Sequence, residues 1–187
     1  MRRLLLVRHA PTAATRSAAF AGDEPLDERG ADEASSLRGR LVRHGECAAS
    51  PAACARETAR LMGLDPRVEP ALAECGFGSW TGRSAAEVAQ ADPDGMRRWL
   101  TEPAARPHGG ETVAELLARV GAWLDVQAGR DGTLVAVTHN GPIRAAVVHA
   151  LGAPADAFWR IDARPLSLTE LHADGGRWRL VRLNADG

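Results

Sequence analysis

Two short runs of apolar residues, each followed at once by a histidine, are the most informative pattern in the chain. Residues 4–7 (LLLV) end in Arg8-His9, and residues 133–138 (TLVAVT) end in His139. A continuous apolar run of this length is typical of a strand buried on both faces, as in a parallel sheet. The carboxyl ends of parallel strands meet at one edge of the sheet, where ligands bind in open α/β folds. If the two strands are neighbours, both histidines lie at one site.

Segments with the helical spacing of apolar residues alternate with these strands. We predict helices over about 27–44 with Asp27 as the cap, from Ser50-Pro51 to about 62–63, from 110–112 onwards, and after His139 to Leu151. A closing hairpin is expected to turn at 174–176 (DGG). The Gly- and Pro-rich residues 75–109 are predicted to fold over one end of the sheet. This alternation predicts an α/β protein, a three-layer α/β/α sandwich with a mainly parallel sheet.

Length and composition fit one globular domain and exclude several classes of function. The chain has 187 residues, 45% of them hydrophobic, and a formal net charge of −1, so no global field attracts nucleic acid or an acidic membrane. We find no stretch of 18 apolar residues and no signal-peptide pattern, and therefore expect a cytoplasmic protein. The sequence leaves the oligomeric state open, with a homodimer as one option.

Two imidazoles and one guanidinium around a single oxyanion suit phosphoryl transfer. A neutral imidazole attacks phosphorus, while donors with positive charge neutralise the equatorial oxygens. A metal site is the competing use of the same histidines. Neither an HxH or HxxxH pattern nor a paired carboxylate lies nearby, and the three cysteines (Cys47, Cys54 and Cys75) lack the spacing of a zinc site. We therefore expect no metal and no cofactor.

Short motifs around these residues extend along nearly the whole chain. The first is 5–12 (LLVRHAPT) and the last is 137–144 (VTHNGPIR). Between them, in order, lie 20–22 (FAG), 25–30 (PLDERG), 49–51 (ASP) with 57–59 (ETA), 72–74 (LAE) with 77–82 (FGSWTG), and 109–112 (GGET). This series resembles the histidine phosphatase superfamily, which has the phosphoglycerate mutase-like fold. The resemblance implies a single histidine-phosphatase-like domain over 1–187, with a cap-like excursion at about 75–109.

The resemblance also implies a division of labour among the polar residues. His9 is the phosphorylated nucleophile, and Arg8 and His139 hold the phosphoryl oxygens. Glu74 is the general acid that protonates the departing alcohol and then the base that activates water, a role that requires a raised pKa near neutral pH. Further substrate contacts are assigned to Thr15, Cys54, Thr112 and Asn140, and the substrate is a small phosphorylated metabolite.

Cys54 is a departure from the family pattern, which has a second phosphate-binding Arg at this position. Loss of a preorganised donor typically lowers the rate by about 10²–10³-fold. Arg56 lies two places on, about 200° round a helix, and is expected to face elsewhere. The sequence leaves open whether Arg16, Arg83 or Arg144 replaces the lost charge. It also leaves open whether Cys54 pairs with Cys75 as a redox switch.

The sequence therefore favours a metal-independent phosphatase that acts on small phosphate monoesters through a phosphohistidine. The residues Ala10-Pro11-Thr12 and the short chain resemble the phosphatase branch, which includes the alpha-ribazole phosphatases. Two alternatives stay open. One is a phosphoglycerate mutase. The mutases of the family use an Asn for substrate contact where this chain has Thr15, and this difference argues against a mutase. The other is a weakly catalytic protein that binds phospho-ligands for regulation, which the cysteine at position 54 motivates.

Overall fold

The computed structural model describes residues 1–41 and 45–186. Its strands are β1 (Arg2–Arg8), β2 (Glu46–Ala49), β3 (Arg67–Val68), β4 (Gly132–Thr138), β5 (Leu168–Asp174) and β6 (Arg177–Ala185). Its α-helices are α1 (Ala13–Arg16), α2 (Glu28–Ser36), α3 (Ala53–Leu61), α4 (Ala85–Ala91), α5 (Pro93–Thr101), α6 (Val113–Ala128) and α7 (Asn140–Leu151). Short 3₁₀ turns cover Pro70–Leu72, Gly78–Trp80 and Ala155–Arg160.

One six-stranded sheet, in the order β3-β2-β4-β1-β5-β6, forms the centre of the molecule. β3, β2, β4 and β1 pair in parallel, whereas β5 and β6 close the sheet as an antiparallel hairpin. The two apolar runs of the sequence are the central neighbours β1 and β4. Their register pairs Arg8 with Thr138, so that the residues after each strand, His9 and His139, leave the sheet side by side. The mainly parallel sheet predicted from the sequence is confirmed.

Helices cover both faces of this sheet, because successive side chains of a strand point to opposite faces. Leu4 and Leu6 of β1 pack into the core beneath α6 and α7, and Leu5 and Val7 pack against α3. Leu134 and Ala136, and Val135 and Val137, divide in the same way on β4. The predicted three-layer α/β/α sandwich is therefore confirmed.

The predicted helix boundaries are right in four places and wrong at the end of α2 and the start of α3. Thr112 caps α6, α7 follows His139, and Gly152 ends α7 in the left-handed region. Asp27 caps α2 as expected. However, α2 ends at Ser36, well before the predicted end at about His44. Turns follow, with Gly39 at a φ of 79°, a conformation that other residues rarely adopt and that terminates a helix. His44 itself lies outside the described residues.

The second predicted helix starts two residues later than its first proline suggested. Pro51 and Ala52 form a bend, Ala52 is the N-cap, and α3 begins at Ala53. The hydroxyl of Ser50 accepts a hydrogen bond from the Ala52 amide at 3.2 Å, which holds this bend. The bend keeps Ser50 at the end of β2, beside the site described below.

The segment 75–109 carries α4, α5 and a cluster of aromatic side chains. Trp80 and Trp99 are buried, and their rings lie 5.0 and 4.6 Å from the ring of His108.

The predicted hairpin turns at Gly175 and Gly176, which both have positive φ. Among the residues that the structure describes, no helix is both long enough and apolar enough to cross a bilayer.

Candidate active site

His9 and His139 meet at the carboxyl edge of the sheet. The ring centroids lie 4.9 Å apart in an edge-to-face arrangement, and the side chains are 4% and 1% exposed. The His9 amide donates to the Thr138 carbonyl at 2.8 Å, which continues the β1–β4 pairing by one residue. The parallel register therefore places the two imidazoles against each other.

The His9 ring is uncharged and is held in one tautomer. Its Nδ1 lies 2.7 Å from the Ala10 carbonyl oxygen, and because that oxygen can only accept, Nδ1 carries the proton. The lone pair is then on Nε2. Burial, followed by the nearby His139, lowers the pKa of His9 to about 3, so the ring is uncharged at neutral pH.

His139 is also uncharged, so of the two residues expected to hold the phosphoryl oxygens only Arg8 carries a positive charge. Burial, followed by the charges of Arg8 and Arg119, lowers its pKa to about 3. Its Nε2 lies 2.8 Å from the Ser50 hydroxyl, while its Nδ1 is buried without a hydrogen-bond partner among residues 1–41 and 45–186. His139 can therefore offer a hydrogen bond or a lone pair to a ligand, but it carries no charge until a ligand arrives.

Arg8 supplies the positive charge next to the two rings. Its Nη1 donates to the Ala163 carbonyl at 2.6 Å, which fixes the guanidinium, and its buried Nε has no partner within the described ranges. Burial lowers the pKa of Arg8, and the carboxylates of Glu74 and Asp162 partly offset this. The group stays charged, because an arginine in a protein is not deprotonated near neutral pH.

The carboxyl of Glu74 is held by two backbone amides at the mouth of the site. It accepts from the Cys75 amide at 2.9 Å and from the Gly141 amide at 3.3 Å. A Cβ added at Gly141 would lie 2.1 Å from Oε1 of Glu74, so only glycine permits this approach. Burial raises the pKa of Glu74, despite the opposing hydrogen bonds and the nearby Arg8. A carboxyl in this state can give up a proton near neutral pH.

Cys54, at the position where the resemblance implies an arginine, lies against both histidines. The ligand atoms of His9, Cys54 and His139 all lie within 4.8 Å of one another, and Cys54 is 2% exposed. Burial, followed by the carboxylate of Glu24, raises the pKa of this thiol to about 12. Position 54 thus holds a neutral thiol in the pocket. Cys75 is not part of this group, and its thiol donates a hydrogen bond to the Glu111 carbonyl instead.

Three residues that the sequence analysis did not single out support the site. Ser50 contacts His139, Gly141 binds Glu74, and the Thr58 hydroxyl accepts from the Ala10 amide at 3.0 Å. All three stand inside the motifs quoted above. Their contacts, however, join residues far apart in the chain, so only the motif positions themselves could have pointed to them.

Two adjoining cavities open onto Glu74. One, of about 380 Å³, includes Asp23, Ser50, Glu74 and His139 in its lining. The other, of about 150 Å³, is lined largely by aromatic rings of Phe20, Phe77, Trp99, Phe158 and Trp159, with Asn140 and Arg144. Together they give room for a phosphoryl group beside His139 and a small leaving group beyond Glu74.

The other predicted substrate contacts lie around the site with partners of their own. Thr15, on α1, pairs with the Thr12 hydroxyl at 3.1 Å. The Thr112 hydroxyl is part of a capping box at the start of α6. Asn140 lines the smaller cavity and binds Asp162 and the Ala163 amide. Substrate contact by these three residues stays a prediction.

The three arginines considered as replacements for an arginine at position 54, and Arg56, which was expected to face elsewhere, differ in position. Arg16 is paired with Asp27, and Arg83 reaches the Glu87 carbonyl. Arg56 keeps a buried Nε without a partner in the described part of the chain. Arg144 lines the smaller cavity, lies over the Phe158 ring and pairs with Asp162 at 3.3 Å. Of the four, Arg144 is the one found in a cavity wall with Glu74.

The model of the histidine phosphatase superfamily (branch 1) matches residues 4–186 of this chain. The chain belongs to the histidine phosphatase superfamily. The buried pair His9 and His139 is the meeting point of this family's first and last motifs.

Named relatives of the superfamily include several phosphatases. A bifunctional protein from Mycobacterium tuberculosis is 36% identical over 92% of this chain, which spans about half (51%) of that relative's length. Phosphoserine phosphatase 1 from Hydrogenobacter thermophilus is 31% identical, over 98% of this chain and 92% of the relative.

Solved structures give the same picture. A putative alpha-ribazole-5'-P phosphatase from Escherichia coli has a TM-score of 0.87 at 26% identity, covering 100% of this chain and 98% of that one. A mycobacterial glucosyl-3-phosphoglycerate phosphatase has the same TM-score and identity, with both chains covered in full (100%). The fold of this superfamily member is therefore the one its motifs implied.

Proposed function

We propose that this protein hydrolyses small phosphate monoesters through a phosphohistidine at His9, without a metal cofactor. The observation that carries the proposal is the buried contact between the His9 and His139 rings, whose centroids lie 4.9 Å apart, with Arg8 at the end of β1 and Glu74 at the mouth. The named phosphatases among its relatives support the same reaction class.

In the first half of the reaction, Nε2 of His9 attacks phosphorus. Its lone pair is free because Nδ1 donates to Ala10 and because the ring is uncharged. The P–N bond forms as the ester P–O bond breaks, and protonated Glu74 gives its proton to the departing alcohol oxygen. Arg8 and His139 bind the equatorial oxygens as negative charge spreads over them.

In the second half, Glu74 acts as the base. Its carboxylate takes a proton from water as the water oxygen attacks phosphorus and the P–N bond breaks. Inorganic phosphate leaves, and His9 and protonated Glu74 are restored. Since both halves use the same carboxyl in opposite protonation states, its raised pKa suits both.

The size of the substrate is inferred from the space around Glu74. The aromatic cavity of about 150 Å³ holds a leaving group no larger than a small metabolite fragment, which supports a small phosphomonoester. The homodimer stays one option for the oligomeric state, and the proposal names a class of substrate, not one metabolite.

The test is hydrolysis of p-nitrophenyl phosphate by the wild type, His9→Asn and Glu74→Gln. We expect His9→Asn to be inactive, and the wild type to show an acid-labile phosphoryl adduct on rapid quenching. Glu74→Gln should lose about 10²–10⁴-fold, the usual share of a general acid. Turnover by His9→Asn at the wild-type rate would refute the proposal.

The neutral thiol at position 54 favours a second candidate, a phospho-ligand-binding protein with slow turnover. Cys54→Arg discriminates between the two. A rise in kcat of about 10²–10³-fold, the value of one donor to a developing anion, would favour the weakly catalytic protein. An unchanged or lower kcat would show that the natural site works without this guanidinium.

A further inference from the structure

Cys54, His9 and His139 form a cluster that phosphoryl transfer does not require in full. The reaction above uses both imidazoles but assigns no step to the thiol. All three side chains are buried, and their ligand atoms lie within 4.8 Å of one another. A thiol and two imidazoles are the donor set that thiophilic d¹⁰ cations prefer.

We propose that His9, Cys54 and His139 bind Zn²⁺, and that the bound ion inhibits the enzyme by occupying the nucleophile. Metal binding itself does not depend on the proposed function; the inhibition does. The ion is an inhibitory ligand in this proposal, and the reaction described above stays metal-independent.

The two histidines are prepared as ligands in two respects. Nε2 of His9 has its lone pair free because Nδ1 donates to Ala10. Nδ1 of His139 is buried without a partner in the described ranges, which leaves one nitrogen of that ring available.

Cys54 supplies the ligand that distinguishes this site from an ordinary pair of histidines. On binding, its S–H bond breaks, the sulfur lone pair enters the Zn–S bond, and the proton passes to solvent. The carboxylates of Glu24 and Asp23 lie near this thiol, and their negative charge favours a cation beside it. Arg8 opposes the ion, and one thiolate charge offsets part of that repulsion.

The geometry requires only a small contraction. Bond lengths of about 2.0–2.3 Å at the tetrahedral angle place zinc ligands about 3.3–3.6 Å apart. The present separations, within 4.8 Å, must therefore shorten by about 1 Å. The cavity of about 380 Å³ that reaches His139 leaves the fourth position open to water or to a phosphate oxygen.

Binding is tested on the intact chelator-treated protein with Co²⁺ as a spectroscopic probe and Zn²⁺ as competitor. We expect a thiolate-to-cobalt charge-transfer band in the near ultraviolet that Zn²⁺ abolishes. Cys54→Ser should lose the band and weaken Zn²⁺ binding by at least about 10–100-fold, the loss typical even for outer-shell changes. Cys47→Ser, which changes a thiol on β2 outside the cluster, is the matched control and should behave as the wild type.

Inhibition is tested with p-nitrophenyl phosphate. Zn²⁺ should inhibit the wild type and Cys47→Ser, a chelator should restore activity, and Cys54→Ser should need at least about 10–100-fold more Zn²⁺. No charge-transfer band, or equal Zn²⁺ affinity in Cys54→Ser, would overturn the site. Zn²⁺ binding without inhibition would overturn the inhibitory role. A band that requires Cys54 in a protein without phosphatase activity would keep the metal site and refute the proposed function instead.

Discussion

Acidification should destabilise this protein well above the pH at which its carboxylates titrate. His9 and His139 are buried as neutral rings with pKa values of about 3, against 6.5 for the unfolded chain. When the pKa of a group is lower in the folded than in the unfolded state, the unfolded state binds more protons at intermediate pH, and acid therefore favours unfolding. Stability is therefore fully present above about pH 6.5 and is lost as pH falls towards 3.

The loss of unfolding free energy at pH 5 depends mainly on the histidine pKa in the unfolded chain, because the pKa in the folded chain lies well below pH 5. Protonation of a free histidine between about pH 7.5 and pH 5 stabilises the unfolded chain by RT ln(1 + 10^1.5), about 2 kcal/mol. Two such groups remove about 4 kcal/mol, a large fraction of the roughly 5–15 kcal/mol of a typical domain. His108, whose pKa burial also lowers, adds to this loss of stability, whereas Glu74, whose pKa burial raises, opposes it.

Urea unfolding at pH 7.5, 6.5, 5.5 and 5.0 measures this loss. In His9→Asn the fall in unfolding free energy between pH 7.5 and pH 5.0 should be smaller by about 2 kcal/mol, because one of the two buried rings is removed. His149→Asn, at the end of α7, is the control and should keep the wild-type fall because both active-site rings stay in place. A wild-type fall below about 1 kcal/mol, or one unchanged in His9→Asn, would refute the reasoning.

Three further substitutions test the contacts around the site. Gly141→Ala places a Cβ 2.1 Å from the Glu74 carboxylate, so kcat for p-nitrophenyl phosphate should fall, by up to about 10²–10⁴-fold if Glu74 is fully displaced; an unchanged kcat would contradict this contact. Ser50→Ala leaves Nε2 of His139 buried without its partner and should cost about 1–3 kcal/mol in urea unfolding, whereas a neutral result would mean that the ring finds another. Thr112→Ala removes the cap of α6 and should cost about 1 kcal/mol in the same assay; a rise in KM beside it would support the predicted substrate contact.

Local signals in the sequence were sufficient for the fold class and for the prediction that His9 and His139 lie side by side. The apolar runs before His9 and His139 specify strands buried on both faces, and such strands require helices on both sides. The end of α2 was predicted wrongly, because apolar spacing continues past Ser36 while the turn around Gly39 stops the helix. Periodicity measures which side chains could be buried and is blind to where the backbone turns.

The amino-acid sequence by itself pointed to the candidate side chains at the sheet edge: an arginine at the end of one strand, two histidines directly after strands, an acid in its motif, and a cysteine where the resemblance implies an arginine. Only the tertiary structure decided their contacts and their charge. The β1–β4 register set the rings 4.9 Å apart, the Gly141 amide fixed Glu74, and burial made both histidines neutral. The packing of α3 brought the Cys54 thiol against them. Charge state and contact depend on desolvation by residues tens of positions away, which no local pattern records.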